Sequence, residues 1–332
     1  MITIAVDAMG GDFGPRETIP AILKFLATHS DCTILVFGIP QETDAYLAGH
    51  GFAGRLIFCP VNEVVDSDET ASSALRSKKQ SSMRLMLNAV NEGRADCAVS
   101  AGNTGALVAI SRFVLKTMPG VDRPALTAII PGRKGFTCLL DLGANVECSS
   151  ANLVQFARMG TAYISVLTGK AQPSVGLLNI GTEEQKGSDD IRLAHAQLKE
   201  DSGLSYKGYV EPDHLYDAAV DVVVCGGFIG NVVLKTSEGL VSFVVELIRL
   251  AFKRNLLTRI AGLVALPVLE RMQRRLNPDM KNGAVLLGLN GIVVKSHGKA
   301  QAAAFEKAVE NAYWLSSGKL IEKLHEQIIR TG

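Results

Sequence analysis

Residues 97–105, CAVSAGNTG, hold the pattern that decides the fold: a short apolar run, then a glycine-rich polar turn that leads into a helix. Runs of Val, Ile and Leu without alternating polar residues are typical of strands buried on both faces. The sequence therefore predicts an α/β fold of three layers, with a mostly parallel sheet between helices. The further runs of this kind are ITIAV (2–6), FTCLLD (136–141), VGLLNI (175–180), VDVVVC (220–225) and GIVVKS (291–296).

The composition restricts the class of protein. Of the 332 residues, 47% are hydrophobic, which is enough for a sizeable core. With 34 basic against 33 acidic residues, the chain lacks the basic surplus of a general nucleic-acid binder. The six cysteines show no zinc-ligand spacing and predict buried thiols in a reducing compartment. We expect a cytoplasmic protein without a metal site, secretory signal or transmembrane helix, built as one α/β unit over 1–332, with two lobes as an alternative.

The segment 240–282 predicts a helical hairpin that extends from this unit. The centre of the hairpin is an apolar tip flanked by arginines, and such a tip can lie in the surface of an anionic membrane. The alternative is that the apolar face packs against a second subunit, and the two are compatible because a dimer presents paired tips. The tip residues are Leu256, Leu257, Ile260, Leu263 and Val264.

The glycine-rich turns predict an anion site. Ligands of open α/β sheets bind beyond the carboxyl ends of the strands, and backbone N–H groups at a helix start favour anions. The turns 100–106 and 227–231 each combine glycines with a following helix, so each can bind an anion through backbone N–H groups. The alternative is that the glycines serve only the tight geometry of strand-to-helix turns.

Three charged or titratable residues stand close to such turns. Lys186 either neutralises a phosphate or an oxyanion, or is a solvated lysine paired with a neighbouring glutamate. His297 either donates to an anion and exchanges protons, or is simply a turn histidine. Asp141 ends a strand and either contacts a ligand or caps the backbone that follows.

A nucleotide-dependent dehydrogenase is a rival interpretation of the same predicted sheet. Residues 225–230 follow a strand but lack the first glycine of the dinucleotide-binding fingerprint. A decarboxylating dehydrogenase also needs clustered acidic residues for a metal, and the sequence does not assemble them.

Several motifs, in order along nearly the whole chain, carry a resemblance to a known family. They are DAMGGDFGP (7–15), SAGNTGA (100–106), DLGAN (141–145), LNIGTEEQKG (178–187), and GAVLLGLNG (283–291) leading into KSHG (295–298). Together they resemble the bacterial phosphate:acyl-acyl-carrier-protein acyltransferases of phospholipid synthesis. The resemblance implies transfer of a fatty acyl group from acyl carrier protein to inorganic phosphate, without a cofactor.

The resemblance also implies a structural and cellular setting. It implies a fold like that of the isocitrate and isopropylmalate dehydrogenases and the phosphotransacetylases, a homodimer, and peripheral membrane association. A membrane glycerol-3-phosphate acyltransferase would then take the acyl phosphate.

One position departs from the family, which usually has aspartate where this chain has Gly226. An activity-impaired variant, or a phosphate- or lipid-binding adaptor of the same fold, is therefore the alternative.

The implied reaction assigns roles to the candidate residues. Phosphate is already a nucleophile near neutral pH, so the enzyme has to position it and stabilise the tetrahedral oxyanion. We expect Lys186 and His297 to stabilise charge and Asn231 to orient the reactants. The predicted contacts to phosphate or acyl group are Ser100, Asn103, Thr104, Asp141, Asn145, Asn179 and Thr182. Because acyl carrier protein is acidic, the predicted docking residues are Arg76, Lys78, Lys79, Arg84, Arg271, Arg274 and Arg275.

Overall fold

The computed structural model describes residues 1–50, 52, 54–276 and 283–329, without the side chains of 273–276 and 329. The strands in this part are β1 (Ile2–Asp7), β2 (Cys32–Gly38), β3 (Leu56–Pro60), β4 (Cys97–Ser100), β5 (Ala125–Gly132), β6 (Gly135–Leu140), β7 (Ser174–Leu178), β8 (Ser205–Val210), β9 (Val222–Val224), β10 (Ala284–Leu287) and β11 (Ile292–Lys295). They form one sheet in the order β3-β2-β1-β4-β11-β10-β5-β6-β9-β7-β8.

The helices alternate with these strands along most of the chain. They are α1 (Pro15–Thr28), α2 (Pro40–Leu47), α3 (Ala71–Ser77), α4 (Ser82–Asn91), α5 (Thr104–Leu115), α6 (Ser150–Thr168), α7 (Asp189–Glu200), α8 (Gly227–Lys253), α9 (Leu256–Leu276), α10 (Ala302–Ser317) and α11 (Leu320–Ile329), with a 3₁₀ helix at Pro212–Asp217. The prediction of an α/β protein with a large, mostly parallel sheet is confirmed.

Strand direction divides the sheet into two halves. Strands β1, β2, β3, β4 and β11 run parallel, as do β6, β7, β8 and β9. Between them the direction reverses three times, at β11–β10, β10–β5 and β5–β6. The two parallel halves therefore point in opposite directions, and their carboxyl ends lie at opposite edges. The glycine-rich strand exits therefore do not all lie at one edge of the sheet.

Both faces of the sheet are covered by apolar side chains. On one face, Phe25 of α1, Phe156 of α6 and Phe305 of α10 are buried with the inward side chains of the strands. On the other face, Leu87 of α4 and Ile110 of α5 do the same. The six cysteines are free thiols, four of them buried, as the sequence predicts.

The helical pair α8–α9 leaves much apolar surface exposed. It begins at Gly227, earlier than the predicted boundary at 240, and its tip exposes 79% of Leu257 and 71% of Leu263. Gly262 lets the helices approach, since an added Cβ there would lie 3.0 Å from the Phe252 ring. By length and composition, α8 could also cross a membrane, although the sequence analysis expects no transmembrane helix.

Candidate functional site

A cavity of about 680 Å³ lies against β5 and α8. One end is polar and is formed by the turns that follow β4 and β11, residues 101–105 and 295–298. Of the predicted site residues, the cavity brings together Asn103, Thr104, Asn231 and His297. Residues from separate parts of the sequence thus meet at one concave surface, which is the usual form of a small-molecule site.

The N-terminus of α5 points its polar groups at this end. Asn103 caps the helix by accepting the Ala106 N–H at 3.1 Å, and its amide donates to the carbonyls of Ser67 and Glu69, both at 2.9 Å. The Asn103 side chain therefore positions the turn rather than presenting free donors. Thr104 is exposed, and its hydroxyl makes no hydrogen bond to a described residue, so this hydroxyl and the helix dipole are available to an anion.

Ser100 is buried behind the turn. Its hydroxyl donates to Asp7 Oδ2 at 2.7 Å and accepts the Gly102 N–H at 3.0 Å. Burial is the largest influence on Asp7 and raises the pKa of its carboxyl, against the lowering effect of its hydrogen bonds. These two hydrogen bonds hold the turn, and the predicted contact of Ser100 with substrate stays a prediction.

His297 is exposed on the cavity wall. Its Nδ1 accepts the Lys299 N–H at 3.2 Å. When the imidazole is neutral, this hydrogen bond places its proton on Nε2, so that the Nε2–H is a donor. This geometry suits donation to an anion, one of the two roles the sequence left open.

Lys295 lies on the cavity wall and was given no role by the sequence analysis. It ends β11, is only 9% exposed, and donates to the carbonyls of Ala101, at 3.1 Å, and Ser296. The only signal in the sequence is its place at the end of the run GIVVKS, where an apolar strand predicts burial of the side chain.

The remaining cavity wall is apolar. Leu126, Ala128 and Ile130 alternate along β5 and so share one face. Leu234 and Val241 of α8 line the opposite side. The cavity therefore joins a polar end to a long apolar wall.

Asp141 and Asn145 lie at the other edge of the sheet and are buried. The Asp141 carboxylate accepts the backbone N–H groups of Leu126, Ala144 and Asn145 at 2.8–3.1 Å, and the Asn145 amide at 2.9 Å. The Asn145 amide also donates to Pro124 O at 2.8 Å. These hydrogen bonds fix the turn 141–145, and the predicted contacts of the two residues with substrate stay predictions.

The loop that follows β7 also lies at this second edge. Asn179 is buried and donates to the Lys186 carbonyl at 3.1 Å, whereas Thr182 and Lys186 are exposed. None of the three lines the cavity. Glu184 pairs with Lys199 at 3.4 Å, and no described carboxylate lies within ion-pair distance of the Lys186 ammonium.

The start of α8 connects the second edge to the cavity. Asn231 lines the cavity and lies beside Gly143, and an added Cβ at Gly227 would lie 2.1 Å from the Asn145 carbonyl. Only glycine fits at 227. Position 226 differs: its backbone angles are ordinary, and the nearest atom to an added Cβ is Cβ of Cys148 at 4.0 Å. The structure therefore has room for an aspartate side chain at this position.

The predicted docking residues lie on two separate surfaces. Arg76 and Lys79 are exposed on and just beyond α3, while Lys78 approaches Asp66 and Glu69 at 3.8 and 3.9 Å. Arg84 lies over the Phe113 ring at 4.9 Å. Arg271 is exposed on α9, and the side chains of Arg274 and Arg275 lie outside the described residues.

Within the described part, no group of His, Cys, Asp and Glu could hold a metal ion.

The fold and the cavity define a class: an α/β protein that can hold an anion at one end of an apolar groove. The chain belongs to the fatty acid synthesis protein family, whose model matches residues 2–323. It is 49% identical over 329 residues to a phosphate acyltransferase of Legionella pneumophila strain Paris, covering 98% of this chain and 96% of the relative. A phosphate acyltransferase of Alkalilimnicola ehrlichii is 50% identical over 313 residues, with 94% and 91% covered.

Solved structures share the fold at low sequence identity. A phosphotransacetylase from Streptococcus pyogenes superposes with a TM-score of 0.60 at 16% identity, covering 97% of this chain and 94% of that one. A branched-chain phosphotransacylase from Enterococcus faecalis gives 0.58 at 14%, with 95% and 99% covered. A 4-hydroxythreonine-4-phosphate dehydrogenase from Klebsiella pneumoniae gives 0.52 at 13%, with 95% and 98% covered.

Proposed function

We propose that the protein transfers a fatty acyl group from acyl carrier protein to inorganic phosphate and releases acyl phosphate. The observation that carries this proposal is the cavity, whose polar end suits an oxyanion and whose apolar wall suits an acyl chain. The relatives named phosphate acyltransferase support it. The isocitrate and isopropylmalate dehydrogenase-like form of the fold remains a prediction.

The chemistry needs positioning more than a strong base. A phosphate oxygen attacks the thioester carbonyl carbon, the C–S bond breaks, and the thiolate leaves and takes a proton. Its conjugate thiol has a pKa of about 8.5, so the thiolate is a good leaving group. We assign the binding of phosphate to Thr104, the His297 Nε2–H and the start of α5, and the stabilisation of the oxyanion to Lys186 at the second edge.

A chain-length test examines this proposal. Ala128 is half-buried on the cavity side of β5, so Ala128→Leu adds volume to the apolar wall. With carrier thioester and phosphate, the wild type should release acyl phosphate, and the variant should lose more activity toward hexadecanoyl than toward octanoyl thioester. Ala303→Leu, at an exposed position of α10, is the control. Absence of acyl phosphate from the wild type, with NAD reduction instead, would identify a dehydrogenase.

We also propose that the acidic carrier protein docks by charge. Arg84 and Lys116 both lie over the exposed ring of Phe113, at 4.9 and 4.7 Å from its centre. Together with Arg76 and Lys79, they form a basic surface around an apolar centre. Lys78 contributes less because nearby carboxylates offset its charge.

We further propose a cytoplasmic homodimer that associates peripherally with the membrane and passes acyl phosphate to a membrane glycerol-3-phosphate acyltransferase. The support is the apolar surface of α8 and the tip. In one chain Phe243 is 60% exposed, and Leu240, Leu247 and Leu250 lie near it on α8. A second copy can cover the helix, and an anionic bilayer surface can receive the tip.

Replacing Leu257 and Leu263 with glutamate should release the protein from anionic vesicles in a sedimentation assay. The two leucines are almost fully exposed, so the change costs the fold little but adds charge where the acyl chains would be. The same substitutions at Leu167 and Leu193, exposed leucines elsewhere, are the control. If the tip variant still bound vesicles like the wild type, the tip would serve packing between subunits alone.

A further inference from the structure

The cavity wall contains a buried cation, the Lys295 ammonium, which forms no ion pair with the described residues. Two lysines line the cavity, and Lys235 is neutralised by Glu238 at 2.8 Å. The ammonium of Lys295 has three protons, and its two hydrogen bonds both go to neutral carbonyls. Within the described part of the chain, no carboxylate lies within 4.0 Å of this ammonium, and its third proton has no acceptor.

Lys295 lies beside the turn 100–106, which the sequence predicts to bind an anion. Its hydrogen bond to the Ala101 carbonyl places the ammonium against the turn that leads into α5. The positive end of that helix, the Thr104 hydroxyl and the exposed His297 surround the same end of the cavity. An isolated charge in a buried place is costly unless a partner offsets it, and a bound anion would be that partner.

We propose that the Lys295 ammonium binds the phosphate that attacks the thioester and stabilises its charge in the transition state, an inference that rests on the proposed acyl transfer. This assigns Lys295 to phosphate and leaves Lys186 to the carbonyl oxygen. Lys295 lines the cavity and Lys186 does not, so Lys295 is the lysine beside the predicted phosphate position.

Burial also gives Lys295 a titration that an experiment can follow. Desolvation is the largest influence and lowers the pKa of Lys295 to about 8; nearby Lys235 lowers it further, while Asp7 and Asp12 raise it. Asp12 and His297 also line this end of the cavity, and Asp7 is buried behind it. Since the charged form binds phosphate, kcat/KM for phosphate should fall as the pH rises through about 8.

The first test uses Lys295→Met, which removes the charge and keeps the length of the side chain. We expect kcat/KM for phosphate to fall by about 10²–10³. Inorganic phosphate should raise the melting temperature of the wild type but not of the variant. Lys299→Met, an exposed lysine on the same turn, should match the wild type in both measurements.

The second test keeps the charge and removes its titration. Lys295→Arg should retain part of the activity and lose the decline above pH 8, because guanidinium does not titrate there. A decline that persists in Lys295→Arg, or a normal phosphate KM in Lys295→Met, would overturn the assignment. Failure of the proposed function is distinct: the wild type would then form no acyl phosphate, whereas the melting experiment would still report phosphate binding at Lys295.

Discussion

Replacing Lys186 with alanine is expected to lower kcat for acyl transfer by about 10²–10³ without lowering the free energy of unfolding. The ammonium is exposed and forms no ion pair with the described residues, so the fold does not depend on it. The loop, in contrast, is held firmly. Asn179 donates to the Lys186 carbonyl, and an added Cβ at Gly187 would lie 2.6 Å from Asn179 Oδ1. A loop held in one conformation, with an exposed lysine that pairs with no described carboxylate, is suited to stabilising an oxyanion.

The measurement is steady-state acyl phosphate formation with carrier thioester, combined with a melting curve. Lys207→Ala, another exposed lysine in the same half of the sheet, should leave both unchanged. The phosphate KM of Lys186→Ala should stay close to that of the wild type, which separates its role from that of Lys295. Near-normal turnover in Lys186→Ala would show that the second edge takes no part in the chemistry.

The strands were predictable because their signal is local. Each of the six apolar runs forms a strand, since a continuous run of Val, Ile and Leu has few other ways to be buried. Strand direction was not predictable in the same way. The runs that form β5 and β10 are as apolar as their neighbours, and composition carries no direction. The short turn between Gly132 and Gly135 was the available signal, because a two-residue connection requires an antiparallel hairpin.

The candidate site was predicted by position but not by orientation. Ser100, Asn103 and Asp141 all lie at strand exits, as expected, yet their side chains turn inward. Each satisfies backbone N–H groups of its own turn, which would otherwise be buried without an acceptor. Lys295 was missed for the converse reason: a charged residue at the end of an apolar run is usually taken as exposed, whereas Lys295 ends β11 and is buried in the cavity wall.

Replacing Asp141 with alanine is expected to lower the free energy of unfolding by at least about 3 kcal/mol, because buried donors left without an acceptor cost about 1–3 kcal/mol each. The carboxylate accepts three backbone N–H groups and the Asn145 amide. Denaturant unfolding of the purified protein measures the change. Asp68→Ala, an exposed aspartate, should change stability by no more than about 0.5 kcal/mol.

A second variant separates the loss of the hydrogen-bond acceptor from the loss of side-chain volume. Asp141→Asn keeps the size of the side chain but turns an NH₂ group toward N–H donors, so it should also destabilise the protein. Activity should fall with stability, because the turn 141–145 sets the position of Gly143 against Asn231 at the cavity. If both variants unfolded like the wild type, the turn would not depend on this carboxylate. The predicted contact of Asp141 with substrate would then be favoured over its structural role.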